Sequence, residues 1–220
     1  KKDRNHSLII TLLPGSRIPE AYENWQLILE AVGGILAKFS ENHLLFLAAI
    51  APNLSLEPFT KILEKFGWND DDLSMNSCLN FPQFNSSISL LPSPNNLGFK
   101  QNQNRLILTQ NNFNQCLNLA DLAMGMAGTA TEQFVGLGKP VITITGRGPQ
   151  FTPAFAEAQT RLLGLSVTLV KHPQEVPQVL EILLQDPQRL ELIRSNGKRR
   201  MGKPGAAQRI AQCLMDRLSS

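Results

Sequence analysis

The sequence is poor in the residues that build metal and redox centres. Its 220 residues include three cysteines and three histidines. Cys78, Cys116 and Cys213 stand far apart and match no metal-ligand spacing, so free thiols in a reducing cytoplasm are expected. His6, His43 and His172 are equally scattered. No metal and no cofactor is expected. Long apolar runs are missing too: the longest, residues 44–51, falls well short of the roughly 20 residues that a membrane span needs. No signal peptide is visible, and a cytoplasmic protein is expected. Charge of one sign is scarce, with 21 Lys and Arg against 18 Asp and Glu. The cations are dispersed apart from Lys198, Arg199 and Arg200, which sit where a helix end would use them, so nucleic acid is not an expected partner. Three signatures are also absent. No G-x-G-x-x-G opens the first helix, Gly138 and Lys139 lack a Walker loop before them, and no G-x-S-x-G occurs. These absences argue against a dinucleotide site, a P-loop and a serine nucleophile elbow.

What is present is alternation. Short apolar runs at residues 7–13, 44–51, 105–109, 122–126, 141–144 and 166–170 read as strands covered on both faces. Between them lie helical patterns. Residues 21–39 carry Trp25, Ile28, Leu29, Val32, Ile35, Leu36 and Phe39 at steps of three and four. Helices are also predicted over residues 55–66 (Ser55 capping), 113–119 (Asn112 capping), 129–137, 153–163, 173–185, 187–202 and 206–218. About six parallel strands with helices on both faces make a doubly wound, Rossmann-like α/β fold. No composition break divides residues 1–220, so one domain is expected. Residues 69–100 read as an irregular insertion with two short strands, at 78–81 and 88–91. The sequence opens on KKDRNHS and enters a strand within a few residues, as a cut at a domain boundary would. The last helix carries Ile210, Leu214 and Leu218 on one stripe, which suits either a homodimer or packing on its own sheet.

Residues 119–144 hold the most informative pattern. A buried strand ends in a small-residue turn at residues 125–128, a helix opens at Thr129, Ala130 and Thr131, Gly138 ends it, and a second strand follows. The first amides of a helix lack partners and carry the positive end of its dipole, so this turn suits a phosphate. Small residues also let a helix pack closely on its sheet; the local pattern favours the phosphate cradle. The first strand ends at Pro14, Gly15, Ser16 and Arg17, on the edge where open α/β sheets bind ligands. Arg17 presents a planar fork of donors suited to phosphate, or else a solvated loop cation. Gln110, Asn111 and Asn112 follow another strand, where their amides suit either a nucleobase or turn formation. A helix terminus plus one arginine fits a diphosphate that brings no metal.

The residues Leu12, Leu13, Pro14, Gly15, Ser16 and Arg17, followed downstream by Ala127, Gly128, Thr129, Ala130 and Thr131 and by Gly138, Lys139 and Pro140, resemble the carboxyl-terminal half of lipid-A-disaccharide synthase and its divergent relatives. The resemblance implies a GT-B glycosyltransferase whose second Rossmann-like domain binds a UDP-sugar. It implies that Gly15, Ser16 and Arg17 border the diphosphate and that Gly128, Thr129, Ala130 and Thr131 hold it. The family's ribose-binding glutamate falls on Gln133, which keeps an acceptor oxygen but no charge; Glu132 lies one helical step, about 100°, away. The implied partners are the UDP-sugar, an amino-terminal acceptor domain outside this chain, a second copy, and a membrane surface met through the whole protein. The implied chemistry is inverting hexosyl transfer to an acceptor hydroxyl, with the general base on the other domain. Two alternatives stand beside it: an enzyme like UDP-N-acetylglucosamine 2-epimerase, and a non-catalytic nucleotide-sugar-binding or dimerisation module.

Overall fold

The apolar strands of this chain bury both of their faces, and that dictates the layers. In the computed structural model, which describes residues 7–71, 91, 96–203 and 205–218, eight strands form one sheet. They are β1 (Leu8–Leu13), β2 (Leu44–Ala49), β3 (Asn69–Asp71), β4 (Leu97–Gln101), β5 (Asn104–Thr109), β6 (Leu122–Gly125), β7 (Val141–Ile144) and β8 (Val167–Val170). Side chains alternate across a strand. Ile10, Leu12, Phe46, Ala48, Leu106 and Met124 therefore join one core, while Leu45, Leu47 and Ile107 face the other way.

Helix α1 (Glu20–Lys38) lays Ala21, Trp25, Ile28, Leu29, Val32 and Ile35 against the first face, beside α2 (Glu57–Lys65) and α6 (Val176–Gln185). The indole of Trp25 donates to the Phe59 carbonyl at 3.2 Å, which satisfies the polar atom of a fully buried ring. Leu117 of α3 (Phe113–Leu119), Phe134 and Val135 of α4 (Thr129–Gly136) and Leu163 of α5 (Pro153–Leu163) cover the second face. Helix α7 (Pro187–Met201) packs on α4, and α8 (Ala206–Leu218) follows with no buried residue, so the stripe of Ile210, Leu214 and Leu218 lies open rather than on its own sheet. No helix among the described residues is long and apolar enough to cross a membrane.

The strand order is β3-β4-β5-β2-β1-β6-β7-β8. From β5 to β8 every pairing is parallel, and these six strands are the ones expected from the apolar runs. The order turns at β1, which pairs with β2 on one side and with β6 on the other. In open α/β sheets, the crevice at such a reversal lies outside the carboxyl ends of the strands.

Three local expectations need correction. The segment 69–100 is not irregular at its ends: β3 and β4 add an antiparallel edge to β5. Asn69, Asp70 and Asp71 show no apolar alternation, and pairing with β4 alone makes them a strand. Of the two short strands expected at 78–81 and 88–91, only Leu91 is among the described residues, buried outside any strand. Ser55 does not cap α2, whose N-cap is Leu56 without a side-chain hydrogen bond. The Asn112 side chain also leaves its helix uncapped; its amide donates instead to Thr109 Oγ1 at 3.0 Å.

One close approach fixes the position of α4. A Cβ added to Gly197 on α7 would stand 2.2 Å from the Val135 carbonyl oxygen. Gly197→Ala must lift α7 off α4, and overpacking of this kind costs about 1–3 kcal/mol. A thermal melt is expected to show the drop, and a melting temperature equal to wild type would refute this account of the contact.

Candidate functional site

The carboxyl ends of β1 and β6 open into a crevice of about 650 Å³. Residues 14–17 form one wall and residues 126–130 the other. Gly15 holds φ +101, which L side chains rarely adopt, and a Cβ there would stand 3.2 Å from the Met126 carbonyl. Glycine thus lets the first loop turn and lets the two loops meet.

Of the residues singled out from sequence, Gly15, Ser16, Arg17, Gly128, Thr129 and Ala130 line this crevice together. Arg17 is exposed, and its guanidinium has no partner among the described residues. Thr131 is fully buried; its hydroxyl donates to the Ala127 carbonyl at 2.7 Å and braces the turn from beneath. Gln133 is exposed on α4 and does not line the crevice, and Glu132 does not line it either. The amides of Thr131 and Glu132 both turn to the Gly128 carbonyl, which leaves Thr129 and Ala130 at the mouth of the helix.

A third loop, residues 145–152 between β7 and α5, closes one end. Glu20, the first residue of α1 and 6 % exposed, accepts from the amides of Gln150 and Phe151 at 3.2 and 2.5 Å through one carboxylate oxygen. Gly148 permits this, since a Cβ there would fall 2.3 Å from that oxygen. Phe151 and Phe155, with ring centroids 5.5 Å apart, line this end, and Phe113 lines the other beside Gln110. The Gln110 amide donates to the carbonyls of Ala51 and Leu54, so this side chain ties two loops together.

Sequence reasoning missed three residues that shape the site. Asn24, 1 % exposed, donates through Nδ2 to the carbonyls of Pro14 and Met126 at 3.0 and 3.4 Å. Gln159 on α5 donates to the carbonyls of Ala127 and Gly128 at 3.2 and 3.1 Å. Glu20 is the third. The signal was a polar side chain within an apolar stripe: Asn24 falls between Ala21 and Ile28, and Gln159 between Ala156 and Leu163.

Cys116 and Lys139, outside this crevice, are held by burial and by backbone carbonyls. Burial pushes the Cys116 thiol up to about 12, so it stays protonated near neutral pH. The Lys139 ammonium donates to the carbonyls of Leu117, Asn118 and Ala120 at the end of α3, while burial draws its pKa down and Asp121 opposes that. No group of three or more His, Cys, Asp or Glu among the described residues is placed to hold a metal.

The sheet with helices on both faces is a Rossmann-like domain, and its fold is like that of GT-B domains. No protein-family model matches the chain, and no curated protein does. Among solved structures, the UDP-GlcNAc 2-epimerase of Neisseria meningitidis, bound to UDP-GlcNAc, is similar at a TM-score of 0.57 and 16% identity over 96% of this chain. The carboxyl-terminal CMP-Kdo binding domain of WaaA from Acinetobacter baumannii is similar at 0.55 and 13% identity, with 91% of this chain and 92% of that one covered. The carboxyl-terminal domain of a glycosyl transferase group 1 family protein, LpcC from Francisella tularensis, follows at 0.52 and 14%, with 88% and 83% covered. The chain spans 44% of the epimerase, against most of the two isolated domains.

Proposed function

We propose that this chain is the donor-binding half of a GT-B glycosyltransferase resembling lipid-A-disaccharide synthase, which transfers a hexosyl group from a UDP-sugar to an acceptor hydroxyl. The carrying observation is the meeting of residues 14–17 with residues 126–130 at the point where the strand order turns. Helix-terminal amides and an unpaired arginine there suit a diphosphate. In the transfer, the bond from the sugar's anomeric carbon to the diphosphate oxygen breaks and negative charge grows on the leaving group. Donors already in place then stabilise the transition state more than the ground state.

The acceptor hydroxyl must also lose its proton to a general base. Glu20 is the one carboxylate among the described residues that line the crevice, and one of its oxygens already holds the third loop. The base therefore belongs to the rest of a two-domain protein in this reading, and the chain alone binds donor without turning it over.

The epimerase-like alternative draws on the similarity to the Neisseria enzyme, but neither His43 nor His172 lines the crevice to serve as an acid or base. Titration of the chain with UDP, UDP-sugars and uridine tests the reading. UDP is expected to bind more tightly than uridine; equal and weak binding of the two would end it. Sugar transfer by the full-length protein separates a transferase from a non-catalytic binder.

A further inference from the structure

Three consecutive carbonyls of the turn before α4 are each held from the protein side. Met126 is held by Asn24, Ala127 by Gln159 and the Thr131 hydroxyl, and Gly128 by Gln159 and the amides of Thr131 and Glu132. On the facing loop, Asn24 also holds the Pro14 carbonyl. A trans peptide is planar, with its N–H directed opposite to its C=O. Binding these carbonyls from within therefore turns the amides of Gly15, Ala127, Gly128 and Thr129 the other way. All four residues line the crevice, and none of the four amides has an acceptor among the described residues.

We infer that Asn24 and Gln159 are positioning residues that set these four amides as one anion-binding nest, spanning both loops and formed before the ligand arrives. The inference rests on the diphosphate reading above and names what gives that site its geometry. A second observation supports it. Asn24 Oδ1 and Gln159 Oε1 are buried without a hydrogen-bond partner among the described residues. Turning either amide over would set its oxygen against two carbonyls, so both orientations are dictated by the carbonyls they serve. A buried acceptor left without a partner costs stability, and each amide keeps its orientation against that cost because of the two carbonyls it serves. Successive backbone amides in such a concavity bind anions without any side-chain charge.

The test is calorimetric titration of the chain with UDP and uridine, run on wild type, Asn24→Leu, Gln159→Met and the double variant, with melting curves to establish folding. Each single variant is expected to lose about tenfold of the UDP-over-uridine preference, one amide–phosphate hydrogen bond being worth roughly that factor, with uridine affinity unchanged. The double variant is expected to approach no preference. A wild-type preference that survives in both single variants would overturn the inference and leave the diphosphate reading intact. A wild type without preference would overturn both. If an apolar variant does not fold, Asn24→Asp and Gln159→Glu replace it. Each keeps shape but sets a carboxylate against two carbonyls, so the same loss is expected, and retention of the preference again counts against the nest.

Discussion

Arg17→Ala is expected to reduce the preference of the chain for UDP over uridine by about tenfold to a hundredfold, since a hydrogen bond to a charged group is worth roughly 1.5–3 kcal/mol. Arg17 lines the crevice beside Gly15 and its guanidinium has no partner among the described residues, so its loss leaves no buried group unpaired. Uridine affinity and the melting temperature are therefore expected to stay at wild-type values. Arg17→Lys keeps the charge but loses the planar fork and is expected to fall between the two. The wild-type preference is expected to weaken as salt rises, because this cation is exposed. An alanine variant with the full preference would return Arg17 to the role of a solvated loop cation.

The largest expected loss of stability lies away from the crevice. Arg105 on β5 and Asp71 on β3 have side chains 1 % and 4 % exposed, with Nε and Oδ2 2.8 Å apart. Lys100 stands 3.9 Å from the other carboxylate oxygen and is itself half exposed. Removing one member of a buried pair strands the other without its counter-charge, so Asp71→Ala is expected to cost about 3–5 kcal/mol. In a chain of this size each kcal/mol moves the melting midpoint by about 2–4 °C, so a drop of order 10 °C is expected. Replacing both, as Asp71→Leu with Arg105→Met, is expected to recover most of that loss, because two apolar side chains need no pairing. A single variant that melts with the wild type would show that the β3–β4 edge adds little to the fold.

Local pattern carried the expectations that held. Strands of the parallel core were legible because each is an apolar run short enough for a strand and closed by Pro, Gly or polar residues. The crevice loops were legible for the same reason: Pro14 and Gly15 break β1, and the small residues of 125–128 break β6. Edge strands were not legible, since Asn69, Asp70 and Asp71 become a strand through pairing across about thirty residues of chain.

The sequence by itself determined the class of fold and the loops that carry small and cationic residues, because periodicity and chain breaks are properties of neighbouring residues. Tertiary structure alone decided that β1 and β6 lie side by side, 112 residues apart at the Ile9–Asp121 hydrogen bond, and so that two loops share one crevice. It also decided that Asn24 and Gln159 reach the same turn from different helices, over separations of 102 and 31–32 residues. It left Gln133 outside that crevice and brought Glu20 into its lining. Which carbonyl a buried amide serves depends on where the sheet sets its helix, and no pattern within one segment contains that information.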